Sequence, residues 1–191
     1  VKTRTIRTRP RGTTALALLP ALALTACGSG GATGTGPAGA QSPAPTADPV
    51  AAVHTVDSVA ALLPADVRRS GTLRIGSSVG SPPGAYYPNG PGKAPAGQDI
   101  DITDAVAKVL GVKPVRQDAS FETILPALGS GKYDVGDTTQ KDSGLAEPLA
   151  DALNHIIGNG TYAKVLKRWG LSGEAVTRSE TNPPGLPKTG G

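Results

Sequence analysis

Residues 97–136, GQDIDITDAVAKVLGVKPVRQDASFETILPALGSGKYDVG, switch between helical and strand periodicity several times in one short stretch. Ile102, Ala105, Val106, Val109 and Leu110 fall at i, i+3, i+4, i+7 and i+8, the spacing of a single buried helix face. Asp101 is the expected N-cap, with Asp104 three residues on in the position of a capping box, and Gly111 is the expected stop. Residues 112–115 read as a strand. Ser120 is the expected cap of a second helix with apolar positions Phe121, Ile124, Leu125 and Leu128; Pro126 lies inside it and should kink or shorten it. Gly129 and Gly131 close that helix, and 133–136 reads as a further strand. Upstream, 72–76 alternates with Leu73 and Ile75 on one face. Strand, helix, strand, helix, strand in this order predicts an α/β fold, a βαβαβ unit with a parallel sheet and right-handed crossovers. Ligands of open parallel sheets lie beyond the carboxyl ends of the strands, here the loops at 77–81, 117–120 and 137–140.

The folded part is expected over 56–173. It opens with a short helix through Val59, Leu62 and Leu63, capped by Asp57 or Ser58. Residues 77–97 form a Gly/Ser/Pro-rich loop without apolar period. Two helices end the domain. Leu145, Leu149, Ala152, Leu153, Ile156 and Ile157 give the first its apolar face; Thr161 is the expected cap of the second, with Tyr162, Val165, Leu166 and Trp169 inward. With 26 Gly, 18 Pro and only six aromatic residues in 191, the core must be small.

The ends of the chain read differently. Lys2, Arg4, Arg7, Arg9 and Arg11 precede a short apolar run, ALALLPALAL at 15–24, too short to span a bilayer. A basic segment followed by such a run is the pattern of a secretory signal peptide, expected at 1–26. Its removal takes five cations out of a net charge of +4, leaving the rest close to neutral, so the basic pI is no argument for nucleic-acid binding. Residues 27–55 are rich in Gly, Ser, Thr and Pro and are expected to form a flexible tether; 174–191 is expected to be a disordered tail. Within that tail, Leu186-Pro187-Lys188-Thr189-Gly190 matches a sortase recognition pattern, read here as a coincidence.

Several of these segments resemble known proteins. Leu24-Thr25-Ala26-Cys27 followed by Gly28 resembles the lipobox of bacterial lipoproteins. The resemblance implies cleavage before Cys27, the only cysteine, and a diacylglycerol on its sulfur; two acyl chains suffice for stable anchoring. The segments Leu73-Arg74-Ile75-Gly76, Gly97-Gln98-Asp99-Ile100-Asp101-Ile102, Phe121 to Leu128, Gly131-Lys132-Tyr133-Asp134-Val135, and Gly160-Thr161-Tyr162 with Lys167-Arg168-Trp169-Gly170 resemble extracellular solute-binding proteins of ABC importers, family 3, the polar amino-acid-binding type. The match falls in two parts, 73–136 and 141–171. It implies a single lobe of a periplasmic-binding-protein-like fold with two C-terminal helices, a small polar solute such as an amino acid, an ABC permease as partner, and residence on the outer face of the cytoplasmic membrane through the lipid on Cys27.

The resemblance places ligand contacts at Ser78 and Ser81 after the first strand, Tyr86 (or Tyr87) as aromatic wall, Asp118 after the second strand and Thr138 after the third. It also implies two lobes and, after Thr138, an arginine that forks onto the ligand carboxylate. No arginine occurs between Arg116 and Arg168, and the segment from Lys141 onward resembles the return to the first lobe, so a second lobe is expected to be missing and binding to be impaired. The same fold serves a cyclic-acid dehydratase, but no paired carboxylates, Ser-His-Asp set or metal-ligand spacing occurs; the chain is read as a non-enzyme without cofactor or metal. The alternative is a non-transport interaction or sensor module that docks on a membrane partner.

Overall fold

The computed structural model describes residues 48–136 and 138–181. The expected signal peptide, Cys27, most of the tether, Asp137 and the LPKTG-like segment lie outside the described residues. The described chain carries, in order, α1 (Asp57–Ala60), α2 (Ala65–Ser70), β1 (Thr72–Ser77), α3 (Gln98–Val109), β2 (Lys113–Asp118), α4 (Phe121–Gly129), α5 (Ala146–Gly158) and α6 (Thr161–Arg168), followed by a 3-10 turn at Ser172–Glu174.

The fold is α/β, with a parallel sheet and helices on its faces. β1 pairs with β2 from Thr72 opposite Lys113 to Ser77 opposite Asp118. The expected third strand is reduced to one parallel bridge between Ile75 and Val135, supported by Gly76 N–H donating to the Val135 carbonyl at 2.9 Å. The reason is local. Gly136 N–H donates to the Thr138 carbonyl and Val135 bridges Thr139 antiparallel, so the chain doubles back before a second rung can form. Asp134 still ties this segment to the sheet: its carboxylate accepts from Arg74 N–H at 2.7 Å and from the Arg74 guanidinium at 2.5 and 3.1 Å.

Alternation along β1 sends Leu73 and Ile75 to one face and Arg74 and Gly76 to the other. The first face carries the main core, which joins Leu73 and Ile75 to Ala105, Val109 and Leu110 of the α3 segment, Ala152 and Ile156 of α5 and Val165 of α6. The second face carries a smaller cluster of Ile124, Leu128 and Tyr133. Gly76 and Gly136 allow it to close down: an added Cβ would meet the Tyr133 ring at 2.5 Å in one case and Ile124 Cγ2 at 2.4 Å in the other.

Several boundaries differ from expectation. α3 begins at Gln98, before Asp101, with Gly97 at the N-cap position and no side-chain cap. Its first free N–H groups are met by loop carbonyls instead: Gln98 N–H donates to Pro83 at 2.9 Å and Asp99 N–H to Gly84 at 3.0 Å. The backbones approach so closely that a Cβ on Gly97 would lie 1.9 Å from the Gly84 oxygen, and φ there is 145°. Asp101 is thereby freed from capping and placed in the first turn. α6 is capped by left-handed Gly160, and Thr161 is its buried first residue. Val56, not Asp57 or Ser58, precedes α1. Ser120 does precede α4, but its hydroxyl reaches the Thr123 hydroxyl at 3.4 Å and no backbone N–H. α2, which had no periodicity to announce it, ends on left-handed Gly71. In α4, Ile124 and Leu128 are buried as expected, whereas Phe121 and Leu125 are 59% and 55% exposed.

Candidate functional site

At the carboxyl end of β1, where the parallel sheet predicts a ligand, the structure has a cavity of about 290 Å³. β1 supplies its floor with Ile75, Gly76 and Ser77; Ser78 follows; α3 supplies Asp99, Ile100, Ile102 and Thr103; Gly136 and Ala85 complete it. The walls are therefore a strand end and the first turns of a helix fixed by the carbonyls of Pro83 and Gly84.

Asp99 lines this cavity together with Ser77, Ser78 and Thr103, and its carboxylate also accepts from Gln98 Nε2 at 3.4 Å. Thr103 is held from both sides. Its hydroxyl donates to the Asp99 carbonyl at 2.6 Å and accepts from an Arg116 terminal nitrogen at 2.6 Å. The same nitrogen reaches Asp104 at 2.7 Å and the Ile100 carbonyl at 3.2 Å, so β2 pins the start of α3 from below. Among the described residues no lysine or arginine lines the cavity. Its chemistry is one acidic group with hydroxyls on an apolar floor, suited to an ammonium or hydroxyl donor and lacking a fork for a carboxylate.

The expected contact residues separate. Ser78 lines the cavity. Asp118, at the end of β2, accepts from the Tyr87 hydroxyl at 3.2 Å and from Val79 N–H at 3.4 Å, which ties the long loop to the neighbouring strand end. Burial, and then the charge and hydrogen bond of Asp118, push the Tyr87 hydroxyl above its usual value. Tyr86 does not form an exposed aromatic wall. It is 2% exposed and packs edge-on against Trp169, with ring centroids 6.0 Å apart. Alternation explains the swap, because Tyr86 pairs with Ala96 in a bridge that turns its ring to the core and leaves Tyr87 to the strand ends. Ser81 is exposed, in a tight turn where it bridges Ala85. Thr138 lies on a separate open groove of about 1110 Å³ beside α5, and its carbonyl, rather than its hydroxyl, holds Gly136.

Asp99, Ser77 and Thr103 are not among the contacts expected from the sequence. The signal for Asp99 was present, since it sits at the strand-to-helix entry next to Gly97, but Asp101 was the more evident cap. Among the described residues no group of three or more His, Cys, Asp or Glu could hold a metal ion, and no helix is long and apolar enough to cross a membrane.

Residues 73–143 match the family model of bacterial extracellular solute-binding proteins, family 3. The matched segment runs from β1 through α4 to the turn before α5, so the resemblance of 141–171 to the family lies almost wholly beyond it. No curated protein matches the chain. Among solved structures, it is 33% identical to the ancestral amino acid-binding protein AncCDT-1, a precursor of cyclohexadienyl dehydratase, over 38% of this chain and 32% of that one, with a TM-score of 0.35. It is 27% identical to the L-cystine solute receptor of Neisseria gonorrhoeae in its unliganded open conformation, over 35% and 28%, with a TM-score of 0.32. A mutant of the arginine-bound form of domain 1 from TmArgBP is 18% identical, over 48% of this chain and 95% of that one, with a TM-score of 0.43. The chain spans about a third of the length of the ancestral protein that it matches.

Proposed function

We propose that this chain is the extracytoplasmic solute-binding component of an ABC importer for an amino acid or a similar small polar solute, anchored to the outer face of the cytoplasmic membrane by a lipid on Cys27, and that it holds its solute weakly. The observation that carries this reading is the cavity at the carboxyl end of β1, with Ser77, Ser78, Asp99 and Thr103 converging on it inside the segment that matches the family. Asp99 would receive the ammonium group and the hydroxyls would orient it. The partner is a permease of the importer. No catalytic role is assigned to the site.

Weak binding follows from what the cavity lacks. A small-molecule pocket normally buries most of its ligand. Here the described residues contain one α/β lobe, and no cation lines the cavity to meet a carboxylate. Calorimetric titration of the full chain against a panel of amino acids tests the reading. The expected result is saturable binding with Kd at or above roughly 0.1 mM, about −5.5 kcal/mol, lost in Asp99→Ala. Submicromolar binding would remove the half-clamp argument; binding that Asp99→Ala leaves unchanged, or none at about 10 mM of any amino acid, would remove the solute site.

A further inference from the structure

The solute cavity carries charge of one sign. Among the described residues that line it, Asp99 is the only charged one; Ser77, Ser78 and Thr103 add hydroxyls, and Ile75, Ile100 and Ile102 are apolar. An α-amino acid holds its carboxylate on the same carbon as its ammonium. Wherever the ammonium meets Asp99, a second carboxylate follows it, and two carboxylates that share a site repel.

The groups that could offset this repulsion are otherwise engaged. Arg116 reaches Thr103, but the terminal nitrogen that makes this contact also donates to Asp104 at 2.7 Å and to the Ile100 carbonyl at 3.2 Å. A helix N-terminus is another common site for a carboxylate. α3 begins at the cavity, yet its Gln98 and Asp99 N–H groups already donate to the Pro83 and Gly84 carbonyls at 2.9 and 3.0 Å.

We infer that the cavity prefers a small primary amine without a carboxylate to the amino acid of the same side chain. This rests on the proposed solute site and specifies the class of solute that the site takes. A monocation matches a lining with one negative charge and no positive one, whereas a zwitterion leaves its carboxylate unpaired. The volume of about 290 Å³ admits a body of roughly ten non-hydrogen atoms at about 30 Å³ each, and the isoleucines suit an apolar one.

Calorimetric titration of the full chain with two matched sets tests it: valine, valinamide and isobutylamine; serine, serinamide and ethanolamine. The amides keep the ammonium and nearly the volume of the parent and remove only the negative charge. The amines remove the whole group. Amide and amine should each bind roughly tenfold tighter than the parent amino acid, with an advantage that shrinks as salt is added. In Asp99→Asn the advantage should vanish, because a neutral amide no longer repels a carboxylate. In Ser78→Arg, at an exposed position of the lining, the amino acids should gain on their amides and amines. If Asp99→Asn binds too weakly for comparison, Ser78→Arg decides alone. A parent amino acid that binds as tightly as its amide, or an advantage indifferent to both variants, overturns the preference and leaves the solute site standing. No binding of any of the six at about 10 mM overturns it as well; the solute site itself falls only if the amino-acid panel is silent too.

Discussion

Asp101 shows how one carboxylate can be moved from a local task to a long-range one. The spacing Asp101, Asp104 reads as a capping box, yet the Pro83 and Gly84 carbonyls already hold the start of α3. Asp101 instead accepts from Trp169 Nε1 at 2.7 Å and from the Arg168 guanidinium at 3.1 Å, joining α3 to the end of α6. Both partners of the ion pair are 14% exposed. Burial pushes the Asp101 carboxyl above its usual value, against the pull of the Trp169 hydrogen bond and the Arg168 charge, and Asp48 and Asp104 push the same way as burial. A raised folded value means that the contribution of this group is fully present below the ordinary value of 3.8 and is lost as pH rises through the higher folded value. Asp101→Ala removes an acceptor from Trp169 and from Arg168 and should cost about 2–3 kcal/mol in urea unfolding at pH 7. Asp101→Asn keeps an acceptor and removes the titration. The stability of the parent chain relative to Asp101→Asn should therefore fall as pH rises above 3.8; a relative stability that rises instead would contradict the assignment.

At the scale of elements, the sequence announces what periodicity can carry. Ala105, Val106 and Val109 of α3, Ala152 and Ile156 of α5, and Leu73 and Ile75 of β1 all reach the core on the expected faces. What periodicity cannot carry is a partner that has none. The carbonyls that start α3 belong to a Pro/Gly loop, and the ring that Tyr86 packs against edge-on, Trp169, is distant in sequence. The same holds for the chain after α6. Asn154 on α5 donates to the Ser179 carbonyl at 3.0 Å and accepts from Ser179 N–H at 2.8 Å, so one side-chain amide pairs with a backbone peptide as a neighbouring strand would. This two-point contact holds the segment past Ser172–Glu174 against α5 and beside the groove that contains Thr138. Asn154→Ala should release it at a cost of about 1–2 kcal/mol, with little effect on global unfolding. Limited trypsin digestion reads the release at the exposed Arg178: cleavage should be roughly 5- to 30-fold faster in the variant. An unchanged rate would mean that the segment is held by something other than Asn154.

For the molecule as a whole, the order of strands and helices predicted where the sheet would open, and Ser78 and Asp118 do lie at its strand ends. The unequal cores on the two sheet faces were less legible, because Phe121, Ile124, Leu125 and Leu128 repeat with one period and nothing in that period says which of them will be covered. The consequence concerns cooperativity. The main core gathers residues from α2, β1, α3, α5 and α6, whereas α4 rests on Ile124, Leu128 and Tyr133 and on the close approach to Gly76 and Gly136. Outside that cluster, the segment that follows α4 is held by Arg74, whose guanidinium meets Asp134 and the Gly131 carbonyl and whose own carbonyl accepts from Asp134 and Val135 N–H, and by the bridge at Val135. A satellite core of this size should open by itself. Native-state hydrogen exchange should give the amides of Ile124, Leu125, Ala127 and Leu128 an opening free energy at least about 1.5 kcal/mol smaller than those of Val106 to Val109. Tyr133→Ala, which removes a buried ring at a cost of about 3 kcal/mol, should lower protection in α4 and leave α3 and α5 unchanged. Should Tyr133→Ala lower protection equally in all three helices, the two faces unfold as one unit, and the sheet transmits more between them than a single-rung third strand would allow.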